Sequence, residues 1–116
     1  EMFRVVETAH RFGMKVLPYM SPFCFTGGTI DDFVTAVDEC MKKYKFDGVY
    51  FDGIHKGIME AYHVTRNTRK AIGNDRILHI HSTLFPLKTI YLPSIDCYAD
   101  YLLRGENRKT SHDTFR

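Results

Sequence analysis

The chain has 116 residues, an apolar fraction of 44%, a charged fraction of 26% and a formal charge of +2. That is the size and balance of one globular domain with a modest core. Lys and Arg are scattered in short pairs such as Lys42–Lys43 and Arg108–Lys109. This excludes the sustained basic stripe of a nucleic-acid binder. No apolar run approaches the roughly 18 residues needed to cross a bilayer, and no secretory signal pattern opens the chain. Neither a nucleic-acid nor a membrane partner is therefore expected. Cys24, Cys40 and Cys97 lie far apart, without a C-x-x-C pair. They read as reduced, mostly buried thiols rather than as a disulfide framework or a zinc site.

Glu1–Phe12 places Met2, Val5, Val6, Ala9 and Phe12 at helical spacing, and Gly13 can close that helix. It opens without a cap, as a helix does when the chain has been cut in front of it. Lys15–Met20 reads as a short strand, with Pro18 near its end because proline has no amide to donate. Ser21–Gly28 is a loop. The Gly27–Gly28 pair lacks the spacing of a phosphate loop and relieves a tight turn. Thr29, with Asp32 three residues on, forms a weak capping box for a helix to about Lys43. Its inward face is Phe33, Ala36, Val37, Cys40, Met41 and Tyr44.

Lys45–Ile54 is the stretch around which the chain is organised. Alternation puts Gly48, Tyr50 and Asp52 on one face and Asp47, Val49 and Phe51 on the other. A helix follows near Gly57–Ile72, with Ile58, Ala61, Tyr62, Thr65 and Ile72 inward and Gly73 as its stop. Arg76–His81 is a third strand. A loop over Ser82–Ser94 precedes a fourth, Ile95–Leu103, and residues 104–116 read as a polar loop or frayed end.

The order is α-β-α-β-α-β-loop-β. Successive early strands start about 30 residues apart, the length of one βα repeat, and a full helical crossover makes them parallel. The expected fold class is α/β with parallel βα repeats. Two architectures fit: a fragment of a (β/α)8 TIM barrel, whose usual length of about 250 residues is roughly twice this chain, or a small doubly wound parallel sheet. An open barrel fragment leaves edge strands and an inner face uncovered. The remainder of the barrel, or self-association, is then the expected partner.

The end of a buried parallel strand is where α/β proteins hold their chemistry, so Asp52 is the leading site residue. The competing reading is an Asp-Gly turn in which the carboxylate caps local amides. His79 and His81 share one face of their strand. With Asp52 they are the residue types of a 2-His-1-carboxylate metal site, an alternative to binding hydroxyls in the upper layer of a barrel. Tyr19, Phe23 and Phe25 fall at the end of the first strand, with Tyr91 and Tyr98 later. Their rings either stack on a sugar or close the core. His10, His55 and His63 read as helix-surface or loop residues. No G-x-S-x-G elbow is present.

The segments VLPYMSP, KFDGVYFDGI, ILHIHS and YADYLLRGEN resemble the third to sixth strands of (β/α)8 glycoside hydrolases, the broad α-galactosidase-like group and related uncharacterised barrels. In that group a strand of form D-G-h-x-h-D, with h apolar, ends in the catalytic nucleophile. The resemblance implies that Asp52 is the nucleophile, that a later strand brings the acid/base, with Asp100 and Glu106 the nearest matches, and that the substrate is a carbohydrate. It makes Tyr19, Tyr50, His79, His81 and Arg104 the expected substrate-binding residues, with no cofactor. Retaining hydrolysis needs carboxyl groups about 5–5.5 Å apart, and inverting hydrolysis about 6.5–9.5 Å. Two other readings stay open: a metal-assisted hydrolase or lyase using His79, His81 and Asp52, and a non-catalytic carbohydrate-binding or structural barrel remnant. The isolated chain is expected to be inactive, because its inner face lacks partners.

Overall fold

A computed structural model describes residues 1–54, 57–82 and 92–104. In chain order its elements are α1 (Met2–Arg11), β1 (Tyr19–Met20), a 3-10 turn (Pro22–Cys24), α2 (Ile30–Tyr44), β2 (Gly48–Asp52), α3 (Ile58–Ile72), β3 (Ile77–Ser82), α4 (Pro93–Asp96) and β4 (Tyr101–Arg104). The four strands form one sheet in the order β1-β2-β3-β4, and every neighbouring pair is parallel.

That order never reverses. A doubly wound sheet needs a reversal, with helices on both faces, so the doubly wound alternative fails. Here α2 packs on α1 and α3, which keeps the helical layer on one side, as right-handed crossovers between successive neighbours require. Val49 and Phe51 of β2 and Leu78 and Ile80 of β3 face that layer and are fully buried with Val37, Met41, Ala61 and Val64. The opposite face carries Tyr19, Tyr50, Asp52, His79 and His81, as alternation predicts.

Local chemistry explains several boundaries. The Thr29 hydroxyl accepts from the Asp32 amide at 3.2 Å, while Asp32 accepts from the Thr29 amide at 2.7 Å, so the capping box is complete. Those bonds hold the Asp32 carboxyl below its ordinary range. β1 is shorter than expected. The Val16 and Pro18 carbonyls accept from the Asp47 and Tyr50 amides, but the Val16 amide goes to the Asp47 side chain instead of the ladder, and Pro18 has no amide to return.

The span Ile95–Leu103 is not one strand. Pro93 starts a helical turn, Asp96 accepts from the Leu92 amide at 2.9 Å across it, and pairing begins only at Tyr101. Proline at the first helical position is pre-set for helix, and that local preference wins over the apolar run.

The packing faces also differ in places from those expected. In α2, Val34 is buried and Ala36 is exposed, because that helix packs sideways on α3 as well as down on the sheet. Ile58 is exposed and Tyr62 only half-buried, while Val64 and Thr68 fill the α3 face. In α1 only Val6 is buried, and Met2, Val5 and Phe12 are exposed. Cys24 and Cys97 are exposed too, so the thiols are not mostly buried. Tyr101, Leu102 and Leu103 are exposed on the outer strand β4.

Two carboxylates pin the N-terminal ends of the strands. Asp47, just before β2, accepts from the Val16 amide and His10 at 2.8 Å and from Lys15 at 3.0 Å. His10 is therefore a partner of this clamp rather than a free surface group. Asp100, just before β4, accepts from the Leu78 amide at 2.7 Å and from Arg69, which also donates to the carbonyls of Gly73, Arg76 and Tyr98. Burial pushes both carboxyls up, but these donors outweigh it, so both end below the ordinary range. A depressed folded value means stability that is present above the unfolded value of about 3.9 and lost as pH falls through the folded one. We expect the urea midpoint to hold from pH 7 to 5 and to fall below pH 4. Asp47→Asn should flatten that acid limb, and an unchanged limb in this variant would contradict the clamp.

Candidate active site

Register builds the site. Tyr19, Tyr50, His79 and Tyr101 occupy one row across the four strands, and Asp52, His81 and Leu103 occupy the next row toward the C-terminal ends. Adjacent rings in the lower row lie 5.8 Å (Tyr19–Tyr50), 4.8 Å (Tyr50–His79) and 5.8 Å (His79–Tyr101) apart, all tilted or edge-on. These are the separations aromatic pairs prefer, so the row forms a continuous ring floor. Burial, with His81 nearby, pushes the His79 imidazole below its ordinary value. At neutral pH it is an uncharged member of the floor.

Above the floor, Asp52 is held at both oxygens. The Tyr19 hydroxyl donates to Oδ2 at 2.6 Å, and His81 Nδ1 lies 3.2 Å from Oδ1. The same Nδ1 is 2.9 Å from the Tyr50 hydroxyl. A proton on Nδ1 would be shared between the Asp52 carboxylate and the Tyr50 oxygen. His81 is buried, at 2% exposure, whereas Asp52 keeps 26% of its side chain open. The Tyr19 hydroxyl is pushed up to about 12 by its bond to Asp52, then by burial and by the carboxylate charge. It stays protonated, and so a donor, at any physiological pH.

The turn after Asp52 fixes the rim. Gly53 adopts φ +67°, in the region that favours glycine, and its carbonyl accepts from the Phe23 amide at 3.1 Å. This ties the 3-10 turn after β1 to the end of β2. Phe25 packs on Phe33, and Phe33 on Phe51, at 5.3 and 5.4 Å. Phe25 thus closes the core instead of facing the site. Tyr98 meets Tyr62 of α3 and is also away from the site.

The expected residues Asp52, Tyr19, Tyr50, His79 and His81 come together. Asp100 does not: it sits at the opposite end of the strands, committed to Arg69 and the Leu78 amide. The residue just before a parallel strand lies at the far end from the catalytic mouth, and the misplaced start of β4 hid this in the sequence. Glu106, His55 and Tyr91 lie outside the described residues, as does the Arg104 side chain. Among the described residues, no three His, Cys, Asp or Glu side chains are grouped to hold a metal. His79 belongs to the lower row, so the proposed 2-His-1-carboxylate set does not converge. Sequence reasoning missed Tyr101, the fourth ring of the floor. Its alternation with Leu103 was the available signal.

Chemically, a carboxylate oriented at both oxygens can act as a nucleophile, as a general base or as an electrostatic partner for developing positive charge. The ring floor beneath it offers flat surfaces with polar edges.

No family model matches the chain, and no curated protein matches it. Among solved structures it is similar to a chitinase from Rhizomucor miehei, with a TM-score of 0.70 and 15% sequence identity over 87% of this chain and 42% of that one. The chain thus spans less than half the length of the solved structure it matches. Likeness at this identity speaks of fold alone. The α/β architecture read from the strand spacing is that of part of a (β/α)8 TIM barrel, the fold of that chitinase.

Proposed function

We propose that the chain supplies the nucleophile-bearing part of a (β/α)8 glycoside hydrolase, with Asp52 attacking the anomeric carbon of a carbohydrate substrate. The observation that carries this reading is Asp52 itself: a partly open carboxylate at the C-terminal end of a buried parallel strand, with the Tyr19 hydroxyl donating to one oxygen and the His81 ring nitrogen 3.2 Å from the other. Such a mount orients the attacking group before the substrate arrives, which is where enzymes gain much of their rate. The chitinase of similar fold adds support at the level of scaffold. The finer likeness to α-galactosidase-like barrels rests on the D-G-h-x-h-D strand pattern alone.

The ring floor supports a sugar-binding role for Tyr19, Tyr50 and His79. With Asp100 engaged elsewhere, Glu106 is the remaining acid/base candidate within the chain. The exposed Tyr101, Leu102 and Leu103 support completion of the barrel by further βα units or by a second copy.

The test is covalent trapping. The protein containing this chain is treated with activated 2-fluoro glycosides of several sugars, digested and mapped by mass. A sugar adduct on the Asp52 peptide is the expected result. An adduct on a different carboxylate, or turnover of the parent glycosides without dependence on Asp52, would refute the assignment.

A further inference from the structure

The two partners of Asp52 are unlike each other. His81 is a central-strand residue, buried at 2% exposure, with its Nδ1 also close to the Tyr50 hydroxyl. Its imidazole is enclosed on the inner face of the sheet and cannot turn away without displacing neighbouring side chains. Tyr19 lies on the two-residue outer strand β1, and 65% of it is exposed. Rotating its ring away breaks one bond to Asp52 and an edge contact with Tyr50 at 5.8 Å, and water or a ligand hydroxyl can replace both. One oxygen of Asp52 is thus anchored from within the sheet, and the other is held from its rim.

We propose that Oδ2 is the oxygen Asp52 presents to a ligand, and that Tyr19 is its exchangeable positioning donor. In the resting chain Tyr19 holds Oδ2 in place and withholds it from solvent. When a ligand enters, the phenol gives up that bond, and Oδ1 stays fixed by His81. The two arms divide the work: the buried one sets the angle of the carboxylate, and the exposed one sets when its outer oxygen is free. This deepens the glycoside hydrolase reading by naming the reactive oxygen, and its first measurement does not depend on that reading.

That measurement is a pH titration of the full chain labelled with ¹³C at the tyrosine ring carbon bearing oxygen, with the Tyr19 signal assigned by its loss in Tyr19→Phe. The expected midpoint for Tyr19 is about 12, falling toward the ordinary value of about 10 in Asp52→Asn. An ordinary midpoint in the unmodified chain overturns the proposal whatever the protein's activity. So does a raised midpoint that Asp52→Asn leaves unchanged.

The second measurement is steady-state kinetics of Tyr19→Phe in the protein carrying this chain. Because the phenol leaves Oδ2 when the ligand enters, its loss removes a bond the ligand must displace, and should lower KM about 3- to 10-fold with kcat little changed. A raised KM with kcat intact would make Tyr19 a stacking surface only and would also overturn the proposal. A raised, Asp52-dependent midpoint in a protein without glycosidase turnover would uphold the Tyr19–Asp52 arrangement and sink the hydrolase reading instead.

Discussion

Asp52→Asn should abolish most glycoside turnover while leaving the fold intact. A neutral amide cannot form the ester intermediate that a carboxylate forms, and removing a covalently acting residue costs roughly 10³-fold or more in kcat. The same change barely alters shape. Asn is nearly isosteric with Asp, and Asp52 is part-exposed at the end of its strand. The main local cost is an amide N–H group in place of one carboxylate oxygen. We therefore expect a stability change within about 1 kcal/mol, seen as a thermal midpoint within a few degrees of the parent. Kinetics and thermal unfolding on the same preparations check both halves. Turnover within tenfold of the parent would remove Asp52 from the chemistry, and a collapsed midpoint would make it structural.

Gly48→Ala should damage the fold more than any other single methyl we can place. Gly48 opposes Ile77 in the β2–β3 register, and a Cβ there would sit 2.0 Å from the Ile77 carbonyl oxygen. The obstacle is backbone, and the adjacent Ile77 amide is bonded to the Asp47 carbonyl at 2.8 Å. Relief requires parting the two central strands at the end where Asp47 clamps them. Overpacking of this kind costs about 3 kcal/mol, which for a chain of this length lowers the thermal midpoint by roughly 10–20 °C. Differential scanning calorimetry reads it directly. An unchanged midpoint would show that β2 and β3 do not meet at this register.

Much of the site was legible because alternation within single strands already groups its residues by face. The alternation of Lys45–Ile54 placed Tyr50 and Asp52 together on one face, and that of Arg76–His81 did the same for His79 and His81. Parallel pairing then brought Asp52 opposite His81. Where one residue of local preference outweighed a pattern, the reading slipped. Pro93 turned the start of an apolar run into helix, moving the start of β4 to Tyr101. With it went Asp100, which became a clamp for Arg69 rather than a catalytic partner, and Tyr101, which became the fourth ring of the floor. The metal alternative failed for a related reason. Two histidines at alternate positions share a face, but whether a third ligand converges on them is decided by the neighbouring strands, and among the described residues no such set is grouped.

What the residues decide alone is period: where helices and strands fall, which side of each strand faces helices, and that Asp52 ends a buried strand. These follow from bonds and side-chain directions within a few residues of one another. Only the assembled sheet decides which rows face each other across strands. It makes Tyr19 and His81 the two partners of Asp52, one loose at the rim and one locked inside, although they stand far apart in the chain. Register between strands is set by the packing of all their neighbours at once, and no single segment contains that information.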